Sequence, residues 1–199
     1  MKEKSKNKIL KTVIIIVIIV GSLIGTYFII CLIWNTDTPF TVVEGNSMEP
    51  TLYQGDLLFV SKPKDLGDIE NGSHSERTGD ILIFFSSIKH FLIVHRVIDK
   101  KYENGTWYFS TQGDNNPSSD NGVLYLDGWL HERYVKGIMI GMIPWIGNIG
   151  IFLRDSGFGI FLIILILAYL IISTLLEKPS EKTSKDTEEE ELDMKSLLK

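Results

Sequence analysis

A serine hydroxyl becomes a nucleophile at neutral pH only when a neighbouring base takes its proton during attack. Ser47 is the serine whose surroundings raise that possibility. It lies in VVEGNSMEPTLYQGD (Val42–Asp56), where Gly45, Pro50 and Gly55 are turn-forming residues. A serine fixed in such a turn is either structural or presented for chemistry. The candidate bases are His74, His90, His95, His131 and the lysines. His74 falls in a polar, glycine-containing segment, Lys64–Thr78, and His131 stands near Trp129 in a turn, so both read most simply as exposed. His90 and His95 share KHFLIVHRVIDK. Strand alternation sets Phe91, Ile93, His95 and Val97 on one face, with His90, Leu92, Val94 and Arg96 on the other. His95 therefore sits in an apolar row, and apolar surroundings favour the neutral imidazole that can accept a proton. The same row equally suits a core histidine without a chemical role.

Such a base works best when an acid holds its tautomer and stabilises the imidazolium. STQGDNNPSSDNG (Ser110–Gly122) offers two, Asp114 and Asp120, although aspartate and asparagine in loops also build turns. Cys31 is the one cysteine of the chain and lies inside an apolar block, which excludes an intrachain disulfide and a cysteine-based metal cluster.

The elements that must position these residues follow from hydropathy. Thr12–Trp34 runs for 23 residues without a charge, enough at about 1.5 Å per residue to cross a hydrocarbon core of about 30 Å. Its length and the absence of a small-x-small site after it favour an uncleaved anchor over a removable leader. Five lysines against one glutamate in residues 1–11 place the N-terminus in the cytoplasm and the following domain outside. A second uncharged block, Gly157–Leu176, has 20 residues and is expected to cross back. The charged tail, residues 177–199, would then be cytoplasmic and disordered. No basic surface suggests nucleic acid. Between the blocks, residues 35–156 read as one mostly β, small-barrel-like domain. Phe40–Val43, Asp56–Val60, Ile81–Phe85, Phe91–Ile98, Trp107–Thr111 and Tyr134–Ile140 are its strand candidates, and no amphipathic helix stands out. The runs ILIFF and HFLIV suit core strands and lipid contact equally well.

Taken together, these segments carry a resemblance. GNSMEPT (Gly45–Thr51), GDILIF (Gly79–Phe84), VHRV (Val94–Val97) and QGDNNPSSD (Gln112–Asp120), in that order after an anchor, resemble the boxes of the type I signal peptidases. GMIPWIG (Gly141–Gly147) is similar to the family's closing segment, so the likeness covers residues 10 to 150. Histidine at position 95, followed by Arg96, resembles the branch of archaea, the endoplasmic reticulum and some Gram-positive bacteria, where the common bacterial branch has lysine. The resemblance implies Ser47 as nucleophile, His95 as general base, Asp120 as the acid that orients His95 and Asp114 as a supporting acid. Many members carry two aspartates where this sequence has Asp120 followed by Asn121. It implies a membrane serine endopeptidase that removes signal peptides with small residues at −1 and −3, and that uses no cofactor or metal. Its partners would be preprotein signal peptides, the lipid bilayer and the secretion translocon. A dedicated processing peptidase for few substrates is the alternative within the class. A non-catalytic membrane-anchored β module is the alternative outside it.

Overall fold

The computed structural model describes residues 2–125 and 128–176. Helix α1 (Lys2–Ile33) contains the uncharged block, and its part from Leu10 to Ile33 is long and apolar enough to cross a membrane. None of that span is buried. The chain divides into two compact units. One is Gly21–Ile160, which holds the sheet; the other comprises, among the described residues, 2–20 and 161–176.

Within Gly21–Ile160 the strands are β1 (Phe40–Val42), β2 (Leu57–Ser61), β3 (Ile81–Phe85), β4 (Leu92–Glu103), β5 (Thr106–Gln112), β6 (Leu130–His131) and β7 (Val135–Ile143). They form one sheet in the order β1-β2-β7-β3-β4-β5-β6, every neighbouring pair antiparallel. The mostly β expectation holds, but the sheet is not closed into a barrel. Its edges, β1 and β6, are three and two residues long and are not paired with each other. Keeping edge strands this short is one way in which open sheets limit pairing with other chains. Strand β4 runs five residues beyond its expected end at Ile98, because the Asn104-Gly105 turn continues the ladder with β5.

Two cores lie on opposite faces of this sheet. Leu82, Phe84, Ile93, Val97, Phe109 and Leu130 fill one, while Val43, Met48, Leu52, Leu58, Ile81 and Ile83 fill the other. Strand β3 supplies both, which explains why ILIFF is an unbroken apolar run rather than an alternating one. ILIFF is therefore core and not a lipid-facing segment. Register shifts at Phe59/Val60 and at Ile83/Phe84 bend the sheet along β7. Gly137 sits where β7 curves, at φ 156, and a Cβ there would come within 2.7 Å of the Ser61 carbonyl oxygen.

Two helices follow β7: α2 (Gly147–Asp155) and α3 (Phe158–Leu176). Helix α2 is absent from the sequence expectation because it is short and contains Gly147 and Gly150. The second membrane crossing expected over residues 157–176 is not shown. Among the described residues a second span arises only if α2 and α3 count together as one broken span. The expected disordered tail, residues 177–199, lies outside the described residues.

Candidate active site

The serine turn is held from below and from its far end. Met48 and Leu52, each 1% exposed, anchor it in the core, and the Leu52 amide donates to the Met48 carbonyl at 2.9 Å. The buried Asp56 carboxylate accepts from the Tyr53 amide at 2.8 Å and from the Trp145 amide at 3.1 Å. It thus joins the serine turn to the chain between β7 and α2. Ser47 is left half-buried at the top of this arrangement.

His95 projects from β4 opposite Leu82 of β3 and is 4% exposed, with the Phe84 ring edge-on at 6.5 Å. Its Nε2 lies 3.0 Å from Ser47 Oγ, and its Nδ1 lies 2.6 Å from Asp120 Oδ2. A carboxylate can only accept, so a neutral His95 carries its hydrogen on Nδ1 and turns the Nε2 lone pair toward the serine hydroxyl. Asp120 is itself fixed twice: Thr111 Oγ1 donates to Oδ2 at 2.7 Å, and the Asp120 amide donates to the Thr111 carbonyl at 2.8 Å. Behind Thr111 its amide donates to the Tyr125 hydroxyl at 3.1 Å, which in turn donates to Asn121 Oδ1 at 3.1 Å. Burial pushes the Tyr125 phenol up to about 12, with the Asp120 charge adding to it against the hydrogen bonds from Thr111. Tyr125 therefore serves as a neutral donor at physiological pH. Asn121 Oδ1 also accepts from Ser110 Oγ at 2.8 Å, so the residue after Asp120 acts through its carbonyl.

Asp114 stands apart from this chain. Its carboxylate is gripped by Arg96, Nε to Oδ1 and Nη2 to Oδ2, both at 2.8 Å, and accepts from the Thr51 hydroxyl. The third guanidinium contact runs from Nη1 to the Gly79 carbonyl at 2.8 Å. Burial pulls the Asp114 carboxyl upward, but the hydrogen bonds from Arg96 and Thr51 and the charges of Arg96 and His74 outweigh it. The carboxyl therefore lies below the ordinary range. This buried fork ties Thr51 of the serine turn, Arg96 beside the histidine and the loop bearing both acids into one unit.

The turn Gly113–Asn116 closes the site. The Asn115 amide donates to the Ser47 carbonyl at 2.8 Å, and Asn115 Nδ2 donates to the Asn46 carbonyl at 3.1 Å. A Cβ at position 113 would stand 2.6 Å from the Ser47 carbonyl oxygen and 2.9 Å from His95 Nε2, so only glycine fits. Of the other histidines, His131 caps a short turn by accepting from the Arg133 amide, and His90 is exposed at φ 61 in the β3–β4 turn. His74 is half-buried rather than exposed, with Nε2 3.1 Å from the Gly113 carbonyl oxygen. Thr51, Thr111 and Tyr125 are surrounding residues that sequence reasoning did not single out, and it named Arg96 and His74 without the contacts they make here. Arg96 alone carried a signal, a charged residue within an apolar strand.

Ser47, His95 and Asp120 line a cleft of about 860 Å³, walled on one side by Thr41–Gly45 and on the other by Phe91–Val94. Thr41 Oγ1, on that first wall, is the one buried side-chain polar atom without a hydrogen-bond partner among the described residues. The described residues contain no cluster of three or more groups suited to a metal ion.

Comparison with known proteins adds relatives to this geometry. The chain is 32% identical over 158 residues to the signal peptidase complex catalytic subunit SEC11C of Homo sapiens, with 78% of each chain covered. It is 33% identical over 141 residues to the signal peptidase complex catalytic subunit SEC11 of Schizophyllum commune, covering 62% of this chain and 68% of that one. It is 32% identical over 143 residues to the corresponding subunit of Dictyostelium discoideum, covering 70% and 74%. No protein-family model matches the chain.

Proposed function

The chain belongs to the family of signal peptidase catalytic subunits, and from that premise we propose that it is a membrane-anchored serine endopeptidase removing signal peptides from preproteins. Ser47 is the nucleophile, His95 the general base, and Asp120 the acid that orients His95. The observation that carries this reading is the continuous chain from Ser47 Oγ to His95 Nε2 at 3.0 Å and from His95 Nδ1 to Asp120 Oδ2 at 2.6 Å. The first contact has the reach that proton transfer requires, and the second holds the imidazole in place.

Ser47 Oγ attacks the scissile carbonyl carbon while its proton passes to His95 Nε2, and Asp120 stabilises the imidazolium that forms. Collapse of the tetrahedral intermediate breaks the C–N bond, and the imidazolium gives its proton to the leaving amine. Water, deprotonated by the same imidazole, then hydrolyses the acyl-enzyme. Backbone N–H groups of the serine turn stabilise the oxyanion. Asp114 is a supporting acid that holds Arg96 and Thr51 and does not touch the reacting atoms.

The substrate enters as an extended strand between the two walls of the cleft. The apolar lining of the cleft supports this.

The anchor is α1, with its N-terminus cytoplasmic and the sheet domain outside. Ser47 is thirteen residues beyond Trp34, at most about 45 Å of extended chain. The Trp34 carbonyl accepts from the Lys62 amide at 2.8 Å, which ties the end of the span to the end of β2. From Gly137 to Leu153 there is no charged side chain, yet Ile140, Trp145, Ile149 and Phe152 are each more than half exposed. Such a stretch suits the edge of a bilayer. A site held there meets membrane-embedded signal peptides by search in two dimensions, and association with the translocon would deliver them. The test is cleavage of a preprotein by the full chain in proteoliposomes. Ser47→Ala is expected to abolish cleavage; turnover surviving in that variant refutes Ser47 as the nucleophile, and a wild-type chain that cleaves nothing leaves the non-catalytic membrane-anchored module.

A further inference from the structure

His74 belongs to a loop that neither the catalytic chain nor the Arg96–Asp114 fork requires. The loop is nevertheless built to a fixed shape. The Thr78 amide donates to the Ser73 carbonyl at 3.1 Å, and the Ser73 amide donates to Thr78 Oγ1 at 2.9 Å. These bonds close residues 73–78 into a tight turn. Its two ends are tied to β4 on the far side of His95: the Gly72 amide donates to the Val97 carbonyl at 3.1 Å, and Arg96 Nη1 donates to the Gly79 carbonyl at 2.8 Å. From this closed loop the His74 ring reaches 39 residues along the sequence to the Gly113 carbonyl.

Gly113 packs directly against the reacting pair, as the clashes of a Cβ with the Ser47 carbonyl and His95 Nε2 show. Its carbonyl oxygen accepts from the Asn116 amide at 2.9 Å and from His74 Nε2 at 3.1 Å. The Asn116 bond only closes the turn on itself. The Asn115 and Asp114 contacts hold the turn from the serine side and from Arg96. Gln112 Nε2 donates to the Asn116 carbonyl at 2.9 Å at one end of the turn, and His74 braces the Gly113 end.

Resting on the catalytic reading above, we propose that His74 is a positioning residue: its Nε2–H bond to the Gly113 carbonyl holds the Gly113–Asn116 turn against Ser47 and His95. Imidazole with its hydrogen on Nε2 and imidazolium both donate from that atom, so the brace persists across the pH range of the reaction. The charge of His74 also acts on Asp114 in the same direction as Arg96.

A displacement of about 1 Å at a reacting centre costs on the order of 100-fold in rate. Because Asn115 and Asp114 retain the turn in part, removal of the brace is expected to lower kcat about tenfold with KM within about twofold. The experiment uses the full chain in proteoliposomes with a preprotein substrate, rates being referred to folded protein by circular dichroism. His74→Ala should show that kcat loss. His74→Gln, which keeps an N–H of similar reach, should recover most of it. The proposal is overturned if His74→Ala turns over like the wild type, or if the alanine and glutamine variants lose the same activity. It is also overturned if the loss is wholly accounted for by unfolded protein. Ser47→Ala in the same assay separates the two levels: cleavage surviving there removes the catalytic reading itself, whereas a dead Ser47→Ala beside a fully active His74→Ala removes only the role of His74.

Discussion

The two aspartates of the loop after β5 offer a sharp test, because removing one charge from each should break different things. Asp120 Oδ2 receives two donors, His95 Nδ1–H and Thr111 Oγ1–H. In Asp120→Asn the side-chain carbonyl, not the NH2, therefore suits that position, and the productive tautomer of His95 survives. What is lost is the charge facing the imidazolium, which as a charge-assisted bond is worth roughly 1.5–3 kcal/mol, about 10- to 150-fold in kcat. Rotation of the amide would instead put the hydrogen on Nε2 and drive the loss toward about 10⁴-fold. Stability should hardly change. Asp114→Asn should behave in the opposite way. It leaves the Arg96 guanidinium, 5% exposed, without a counter-charge and weakens the tie to Thr51. Breaking a buried pair in this manner costs about 3–5 kcal/mol, a large share of a stability that is typically about 5–15 kcal/mol. The assay pairs kcat on a preprotein with urea unfolding followed by circular dichroism. Turnover in Asp120→Asn within twofold of the wild type would refute the orienting role. So would a wild-type unfolding midpoint in Asp114→Asn combined with loss of catalysis, since the two acids would then have exchanged roles.

Gly113→Ala should fold with a penalty of about 1–3 kcal/mol and lose most of its kcat, because the added methyl drives into the Ser47 carbonyl and His95 Nε2; a kcat near wild type would show that the turn yields without disturbing the pair. The Asp114–Arg96 fork also sets an acid limit. The folded Asp114 carboxyl lies below its ordinary value of about 3.9. Its contribution is therefore complete above that value and is lost as pH falls through the lower folded value. The difference in urea midpoint between wild type and Asp114→Asn should stay constant above about pH 5 and shrink below about pH 4; a difference unchanged at pH 3 would contradict the fork as the source.

Much of the fold was legible because it depends on local pattern. Ile81–Phe85 reads as a strand from its apolar run alone, and Thr106–Gln112 from its β-branched and aromatic residues after Asn104-Gly105. The closure of the sheet was not legible. Whether β1 meets β6 depends on strand curvature at Gly137 and the other shifts along β7, which no local window records. Nor did hydropathy decide a second crossing: Gly157–Leu176 has the composition of a span, but among the described residues only α1 counts as one by itself. His74 was misjudged for a related reason. A polar, aperiodic loop is usually exposed, and only the contact with Gly113, 39 residues away, reveals otherwise.

What the sequence by itself determined is what short-range physics encodes: an uncharged stretch long enough for lipid, strands from periodicity, and a serine, a histidine and two acids in a recognisable order. The family resemblance allots Asp120 to His95, but the residues themselves leave the two acids open. Asp114 and Asp120 stand six residues apart in one flexible-looking loop, and either could have swung toward His95. That choice is made in three dimensions. The rigid fork of Arg96, pointing away from its neighbour His95 along β4, captures Asp114 in two parallel bonds. Thr111, on the strand paired with β4, then turns Asp120 onto the imidazole. Each partner is brought up by strand register, and register is a property of the whole sheet rather than of any segment within it.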